Sequence, residues 1–166
     1  MISMSTGYNG LTEAQSTLIQ HWHACCPKSR LPKREALDPG AIRSQLASLS
    51  MVEVTPAGTV RFRLAGSSLR QIFGREMRGR QLRELDPNIA DMWSLGLSSA
   101  LERRQPVGGI IHRETDCHAW LRLPLEATEG GALVLCHDAL LPKERLPQKK
   151  PGEYHIQPSG STVLAA

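Results

Sequence analysis

An alternation of apolar and polar positions predicts the first β-hairpin of this chain. In the segment 60–64, VRFRL, three apolar residues alternate with two arginines, which is the period of a strand with one buried face. The apolar segment 49–54 precedes it, and Pro56-Ala57-Gly58 separates the two. Two such segments joined by a short turn predict an antiparallel hairpin.

Apolar residues at helical spacing predict a helix on each side of this hairpin. The first begins at Thr12, which forms a T-x-x-Q capping box with Gln15, and ends before Pro27. Its apolar stripe consists of Leu18, Ile19 and Trp22, followed by Cys25 or Cys26. The second covers residues 69–73 and ends at Gly74, where a residue with positive φ is expected.

Two Asp-Pro pairs give helix-start signals, with Asp as the N-cap and Pro as the first helical residue. Asp86-Pro87 begins the strongest amphipathic segment, which runs to about Arg104. Asp38-Pro39 predicts a further helix, from which three apolar residues face the core: Ile42, Leu46 and Leu49.

Three more strands are predicted after the long helix, at 107–112, 118–125 and 133–141. Two strands, a helical middle and three further strands indicate an α+β fold, an antiparallel sheet with helices on one face. We expect residues 1–10 to be disordered, residues 11–141 to form the domain, and the Pro-, Lys-, Gln-, Ser- and Gly-rich residues 142–166 to form a flexible tail.

Length and composition narrow the class of protein. The 166 residues suit one domain, and the net charge of +4 permits an acidic partner without requiring one. No apolar run reaches the roughly 20 residues of a membrane span, and no secretory signal is recognisable at the N-terminus. Four sparse cysteines form no disulfide framework, which predicts a cytoplasmic protein.

A series of short motifs between about Trp22 and about Leu141 resembles the single-domain bacterial PAS family. These motifs are Leu31-Pro32-Lys33-Arg34, Leu37-Asp38-Pro39, Arg63-Leu64-Ala65-Gly66, Phe73-Gly74-Arg75-Glu76, Gly79, Pro106-Val107 and Arg122-Leu123-Pro124-Leu125. The resemblance implies a PAS-like five-stranded antiparallel sheet with helices on one face, here with an extra N-terminal helix. It also implies a signalling role but no particular ligand.

The function that follows is a stand-alone sensory or regulatory module, not an enzyme, which acts through ligand-dependent or constitutive contact with another signalling protein. A homodimer is the PAS-like expectation, and the interface candidates are Leu18, Ile19 and Trp22 of the first helix. The residues that would line or shape a pocket, most of which we expect to be plain core, are Leu64, Leu69, Ile72, Phe73, Met92, Trp93, Leu97, Ile110, Leu121 and Leu135.

An arginine-rich stretch supports an alternative function, the binding of a nucleotide or nucleic acid. Arg75, Arg78 and Arg80 surround Gly74 and Gly79, where a backbone can approach a ligand closely, and arginine suits phosphate recognition. The other interpretation is a solvated surface whose arginines pair with nearby carboxylates: Glu76, Glu84 and Asp86.

Two patterns of histidine and cysteine residues are candidates for a metal or cofactor site. In His21-x-His23-x-Cys25-Cys26 each helical step turns by about 100°, so the side chains do not converge on one metal. Three strand histidines offer an axial ligand for haem: His112, His118 and His137. The sequence therefore contains no motif specific for one cofactor, and both haem and a small apolar ligand are open alternatives. No nucleophile elbow, P-loop, zinc-protease or dinucleotide motif is present.

Overall fold

The structure is a computed structural model that describes residues 10–145 and the backbone of two later segments, 154–156 and 163–165. In this part of the chain the α-helices are α1 (Glu13–Cys25), α2 (Leu69–Phe73) and α3 (Pro87–Arg103). Short 3-10 helices lie at Arg34–Ala36, Arg43–Ser48, Leu82–Glu84 and Lys143–Arg145. None of the helices in the described ranges is long and apolar enough to cross a membrane.

One antiparallel sheet forms the centre of the fold. Its strands are β1 (Leu49–Val54), β2 (Val60–Ala65), β3 (Val107–His112), β4 (Asp116–Thr128), β5 (Gly131–Pro142), β6 (Tyr154–Ile156) and β7 (Val163–Ala165). They lie in the order β2-β1-β5-β4-β3-β7-β6. The five predicted strands are confirmed as β1 to β5, and β4 and β5 are longer than their predicted counterparts.

The sheet contains two strands beyond the five expected. β7 continues it next to β3 through a pairing of Ile111 with Val163, and β6 pairs with β7. Both come from the segment predicted as a flexible tail. The rest of that tail after residue 145, like residues 1–9 of the predicted disordered N-terminus, lies outside the described residues.

The two faces of the sheet are covered by different helices. Successive residues of a strand point to opposite faces, and on β4 and β5 the residues Leu121, Leu123, Leu125, Leu133 and Leu135 share a buried cluster with α1. Alternate positions, Val134 and Cys136 among them, join a second cluster with Phe62 and with Trp93 and Leu97 of α3. The domain is therefore a sheet between α1 on one face and α2 and α3 on the other.

Helix α1 is held on its face by apolar contact and by buried hydrogen bonds. Its N-cap is the predicted one, because the Thr12 side chain accepts a hydrogen bond from the Gln15 amide. Leu18, Ile19 and Trp22 are at most 4% exposed, and Trp22 Nε1 donates to the Pro124 carbonyl oxygen at 2.7 Å. These three side chains, predicted as interface candidates, are thus buried against the apolar face of the sheet within this fold.

The chain after Asp38-Pro39 differs from the helix predicted there. Asp38 Oδ1 accepts from the Gly40 amide in a turn, and a 3-10 helix follows at Arg43–Ser48. A 3-10 helix has three residues per turn, so the four-residue spacing of Ile42 and Leu46 does not place both on one side. Ile42 is buried, whereas Leu46 is 48% exposed.

Two glycines fix the chain around α2. Gly74 ends the helix with φ of 71°, as the sequence predicts. Gly66 follows β2 at a point where a methyl group would overlap the carbonyl oxygens of Ala47 and Leu46. The absence of a side chain at Gly66 therefore lets the end of β2 lie directly against the segment that precedes β1.

Candidate functional site

A cavity of about 330 Å³ lies between the two helices α2 and α3 and the ends of strands β3 and β4. Its lining is mainly apolar and consists of Ile72, Phe73, Ile89, Met92, Trp93 and Ile111, with three polar residues, Asn88, Arg113 and His118. Small-molecule sites are typically concave and apolar with a few polar groups of this kind. This cavity is therefore the candidate ligand site.

A buried ion cluster forms the wall behind the cavity. Arg122 makes two hydrogen bonds to Asp138, at 3.0 and 3.1 Å, and His118 Nε2 lies 2.6 Å from Asp138 Oδ1. The Arg122 guanidinium also lies over the Trp93 ring, with its carbon 3.7 Å from the ring centroid. Two residues of the cavity lining, His118 and Trp93, are thus fixed from behind by the same ion pair.

Strand register brings this cluster together. His118, Trp120 and Arg122 are alternate residues of β4 and share the face toward α3, and Asp138 of β5 is the pairing partner of Trp120. Asp138 lies therefore between the histidine and the arginine on the same face. Arg122 is 2% exposed and Asp138 fully buried, so all three charged or ionisable groups are removed from water.

The charge of the cluster is balanced internally. Burial on its own would raise the pKa of Asp138, but the charge of Arg122 and the hydrogen bonds from His118 and Arg122 hold it below its ordinary value. The neighbouring Cys136 is a packing residue, because burial raises the pKa of its thiol to about 12. Arg122 and Asp138 thus form a salt bridge whose integrity depends on both partners.

Four predicted pocket residues line the cavity: Ile72, Phe73, Met92 and Trp93. Leu69 and Leu97 are buried, at 1% and 2% exposure, but belong to the core rather than to the lining, whereas Leu64 is 43% exposed on the edge strand β2. Leu69 and Leu97 are therefore core residues and Leu64 is a surface residue, and none of the three lines the cavity.

Three predicted pocket residues lie on the wrong face of the sheet. Leu121 and Leu135 pack with α1, and Ile110 pairs with Ala119, on the face opposite to His118. Their neighbours along the strands lie on the face toward α3, and one of these, Ile111, lines the cavity in the place predicted for Ile110. A one-residue change of register exchanges the two faces, and an apolar run such as Val107–His112 carries no alternation from which the inward face can be read.

The remaining lining residues were not predicted, apart from His118 as a haem-ligand candidate. Asn88, Ile89 and Arg113 lie at the start of α3 and just after β3. The sequence does contain one signal for Asn88 and Ile89, the Asp86-Pro87 helix start, which places both residues in the first turn of α3. Their position beside β3 depends on tertiary packing, which the sequence pattern does not specify.

The three strand histidines are distributed over both faces of the sheet. His118 faces the cavity, whereas His137 contacts α1, where Gln15 Nε2 donates to His137 Nδ1 at 3.3 Å. His112 Nδ1 lies 3.5 Å from the Cys117 sulfur. Only His118 is therefore placed to contact a ligand in this cavity, and its Nε2 is already bonded to Asp138.

The contact between His137 and α1 has a consequence for stability. Burial lowers the pKa of His137 from its ordinary value of 6.5. When the pH falls below about 6.5, the unfolded chain binds a proton that the folded protein resists. The stability contributed by neutral His137 is therefore present above this pH and is lost as the pH falls.

The arginines of the alternative phosphate site are largely paired with carboxylates. Arg75 and Arg80 approach Glu84 at 3.5 and 3.4 Å, and Arg70 bonds Glu76 at 2.8 Å. The Arg78 amide donates to Glu76 at 3.1 Å. This pattern agrees with the interpretation of a solvated surface with paired charges, although Glu76 and Glu84, rather than Asp86, are the partners recorded.

The histidines and cysteines of the first helix are arranged as the helical geometry requires. His21 and Cys25 share a face, with 3.6 Å between Nε2 and the sulfur, but His21 Nε2 also accepts from the Asp38 amide. Cys25 bonds the Ala36 carbonyl. Within residues 10–145, no three His, Cys, Asp or Glu side chains form a group able to hold a metal ion.

Fold and cavity together define a class, an α+β domain with a ligand-sized space between its sheet and its helices. A family model described as PAS domain matches residues 11–130. The chain belongs to the PAS domain family, and its general role is that of a sensory or regulatory module. Neither the curated proteins nor the solved structures contain a significant match to it.

Proposed function

We propose that this protein is a sensory PAS module that binds a small, mainly apolar molecule in the cavity beside His118 and passes the signal to another protein. The observation that carries the proposal is the construction of the cavity wall. His118 and Trp93 line an apolar space of about 330 Å³, and both contact the buried Arg122–Asp138 pair. Asp138, whose pKa is lowered in spite of its burial, lies directly behind this wall, and perturbed ionisable groups of this kind are typical of functional sites.

Forming a buried ion pair costs free energy because both charges lose their contact with water, and this cost supports a functional role for the pair. Replacing such pairs with apolar residues is often neutral or stabilising, so stability alone is a weak reason for one here. A role in holding His118 and Trp93 in fixed orientations accounts for its position. Occupancy of the cavity would change the packing of α2 and α3 on the sheet, and a partner would read that change.

The test is native mass spectrometry of freshly purified protein with one blocking and one control variant. Met92→Trp fills the cavity from α3, whereas Leu95→Trp enlarges a side chain of the same helix that is 49% exposed and does not line the cavity. We expect a bound mass, or stabilisation by added butylbenzene, in wild type and Leu95→Trp but not in Met92→Trp. Equal behaviour of both variants would contradict a ligand role for the cavity.

Contact with a signalling protein, a cytoplasmic location and a homodimer belong to the same proposal. The free state of all four cysteines supports a reducing compartment. Since Leu18, Ile19 and Trp22 are buried, a homodimer would use another surface, and light scattering measures whether it forms. A monomer in wild type would leave contact with a different protein as the route of output.

The nucleotide or nucleic-acid alternative has weaker support, because Arg75 and Arg80 share Glu84. Phosphate-dominated binding would weaken steeply as salt is raised. A titration with nucleotides and DNA at low salt, in wild type and Arg75→Ala/Arg78→Ala, separates the two functions. Binding that is lost in the double variant would favour the alternative over the cavity.

A further inference from the structure

The polar groups of the cavity indicate which ligands it accepts. Resting on the proposed function, we propose that the ligand is a weak organic acid, a small apolar molecule with one carboxylic acid or phenol group, and that this group bonds His118 Nδ1. Two features of the cavity support this choice, the tautomer that Asp138 imposes on His118 and the guanidinium of Arg113 in the cavity lining.

Asp138 fixes the tautomer of His118. The distance of 2.6 Å between His118 Nε2 and Asp138 Oδ1 is that of a strong hydrogen bond to a carboxylate. Because Asp138 is paired with Arg122 and ionised, Nε2 is the donor, and Nδ1 of neutral His118 carries a lone pair. Nδ1 has no hydrogen-bond partner among the described residues, and so it is the nitrogen left for a ligand.

This arrangement suits an acidic hydroxyl group whether the proton is on the ligand oxygen or on the ring nitrogen of His118. Neutral His118 accepts a hydrogen bond at Nδ1 from the O–H of the ligand. Protonated His118 donates from Nδ1 to the anion, and the proton has then only moved from the ligand oxygen to the ring nitrogen. An ester or ether can use just the second state, and an ammonium group would lie near the guanidinium of Arg113.

The rim of the cavity favours an anion for a second reason. Arg113 lines the cavity and forms an ion pair with Asp116, with 2.9 Å between Nε and Oδ1, and its two Nη groups make no hydrogen bond to a described residue. Among the described residues, no aspartate or glutamate lines the cavity. The remaining lining side chains are apolar except Asn88, so the body of the ligand is expected to be hydrocarbon or aromatic.

Matched probes test the inference. Octanoate and 4-butylphenol carry the acidic group, methyl heptanoate and butylbenzene keep similar bodies without it, and octylamine reverses the charge. Trp93 lines the cavity, so tryptophan fluorescence reports binding. In wild type we expect the two acids to bind at least about tenfold more tightly than the ester and the hydrocarbon, since a charge-assisted hydrogen bond contributes this much or more, and octylamine to bind weakest.

The variants are His118→Gln and the control His112→Gln, a histidine on the opposite face of the sheet. We expect the preference for acids to be lost in His118→Gln and kept in His112→Gln. If His118→Gln does not fold, nitrogen NMR of wild type replaces it: octanoate should shift the His118 Nδ1 resonance and leave that of His112 unchanged. Equal affinity for acid and ester, or an unchanged Nδ1 resonance on binding, would overturn the inference.

The probes also separate failure of this inference from failure of the proposed function. If butylbenzene binds in wild type but not in Met92→Trp, and the acids show no advantage, the cavity is a ligand site and the acid specificity is wrong. If no probe binds to wild type, both are wrong. If the acids bind with their advantage intact in Met92→Trp, they bind elsewhere, and the assignment to His118 is overturned.

Discussion

Replacing Asp138 with asparagine tests how far the stability of the domain depends on the buried ion pair behind the cavity. The substitution preserves shape but removes the negative charge that Arg122 contacts at 3.0 and 3.1 Å. Arg122 is 2% exposed, so its charge would stay buried without compensation. Removing one partner of such a pair costs about 3–5 kcal/mol, a large part of the roughly 5–15 kcal/mol that stabilises a domain.

The companion variants give the coupling between the two partners. Arg122→Met alone leaves the Asp138 carboxylate with only His118 and should cost a similar 3–5 kcal/mol or so. In the double variant neither charge is left alone, so the total cost should fall below the sum of the single costs by about 2–3 kcal/mol. Urea unfolding at pH 7, followed by tryptophan fluorescence and circular dichroism, measures all three free energies.

Arg70→Met is the control, since Arg70 and Glu76 form an ion pair of 2.8 Å in which both side chains are exposed, at 65% and 44%. Water screens such a pair, so this variant should leave the free energy of unfolding almost unchanged. The reasoning would be refuted if Asp138→Asn cost no more than the control, or if the single costs of Asp138→Asn and Arg122→Met simply added.

Three further changes test other parts of the structure. His137→Gln should flatten the loss of urea stability between pH 7.5 and 5.5, by at most about 1.4 kcal/mol per pH unit for one proton, and a slope equal to that of wild type would contradict the role of this histidine. Gly66→Ala should lower the unfolding free energy by about 1–3 kcal/mol or more, because the added methyl meets the Ala47 carbonyl, whereas unchanged stability would show that the chain relaxes there freely. Trp22→Phe should cost about 1–3 kcal/mol by leaving the buried Pro124 carbonyl unpaired, and an unaltered urea midpoint would count against this bond.

The sequence predicted the elements whose local signals agree with their surroundings. The Thr12 and Asp86 N-caps, the Gly74 stop and the alternation in β2 are each encoded within a few residues. These signals were sufficient for five strands, the three α-helices and the family. The helix expected after Pro39 was wrong because a start signal alone does not determine how the following residues pack.

The candidate site was predictable only in its helical half. Helical spacing gives the inward direction of Ile72, Phe73, Met92 and Trp93, and these residues do line the cavity. Strands that are buried on both faces show no alternation of apolar and polar residues. Their sequence therefore does not indicate which residues face the cavity. Ile110, Leu121 and Leu135 were misplaced for this reason.

What the sequence by itself determined is the class of fold, because caps, turns and alternation act over a few neighbouring residues. What only the tertiary structure decided is the charged wall of the cavity. Nothing in the sequence predicts that His118, Arg122 and Asp138 meet, and they do so because β4 and β5 pair in one particular register with α3 across them. A contact of this kind depends on the alignment of strands, and strand alignment is settled by the packing of the whole sheet.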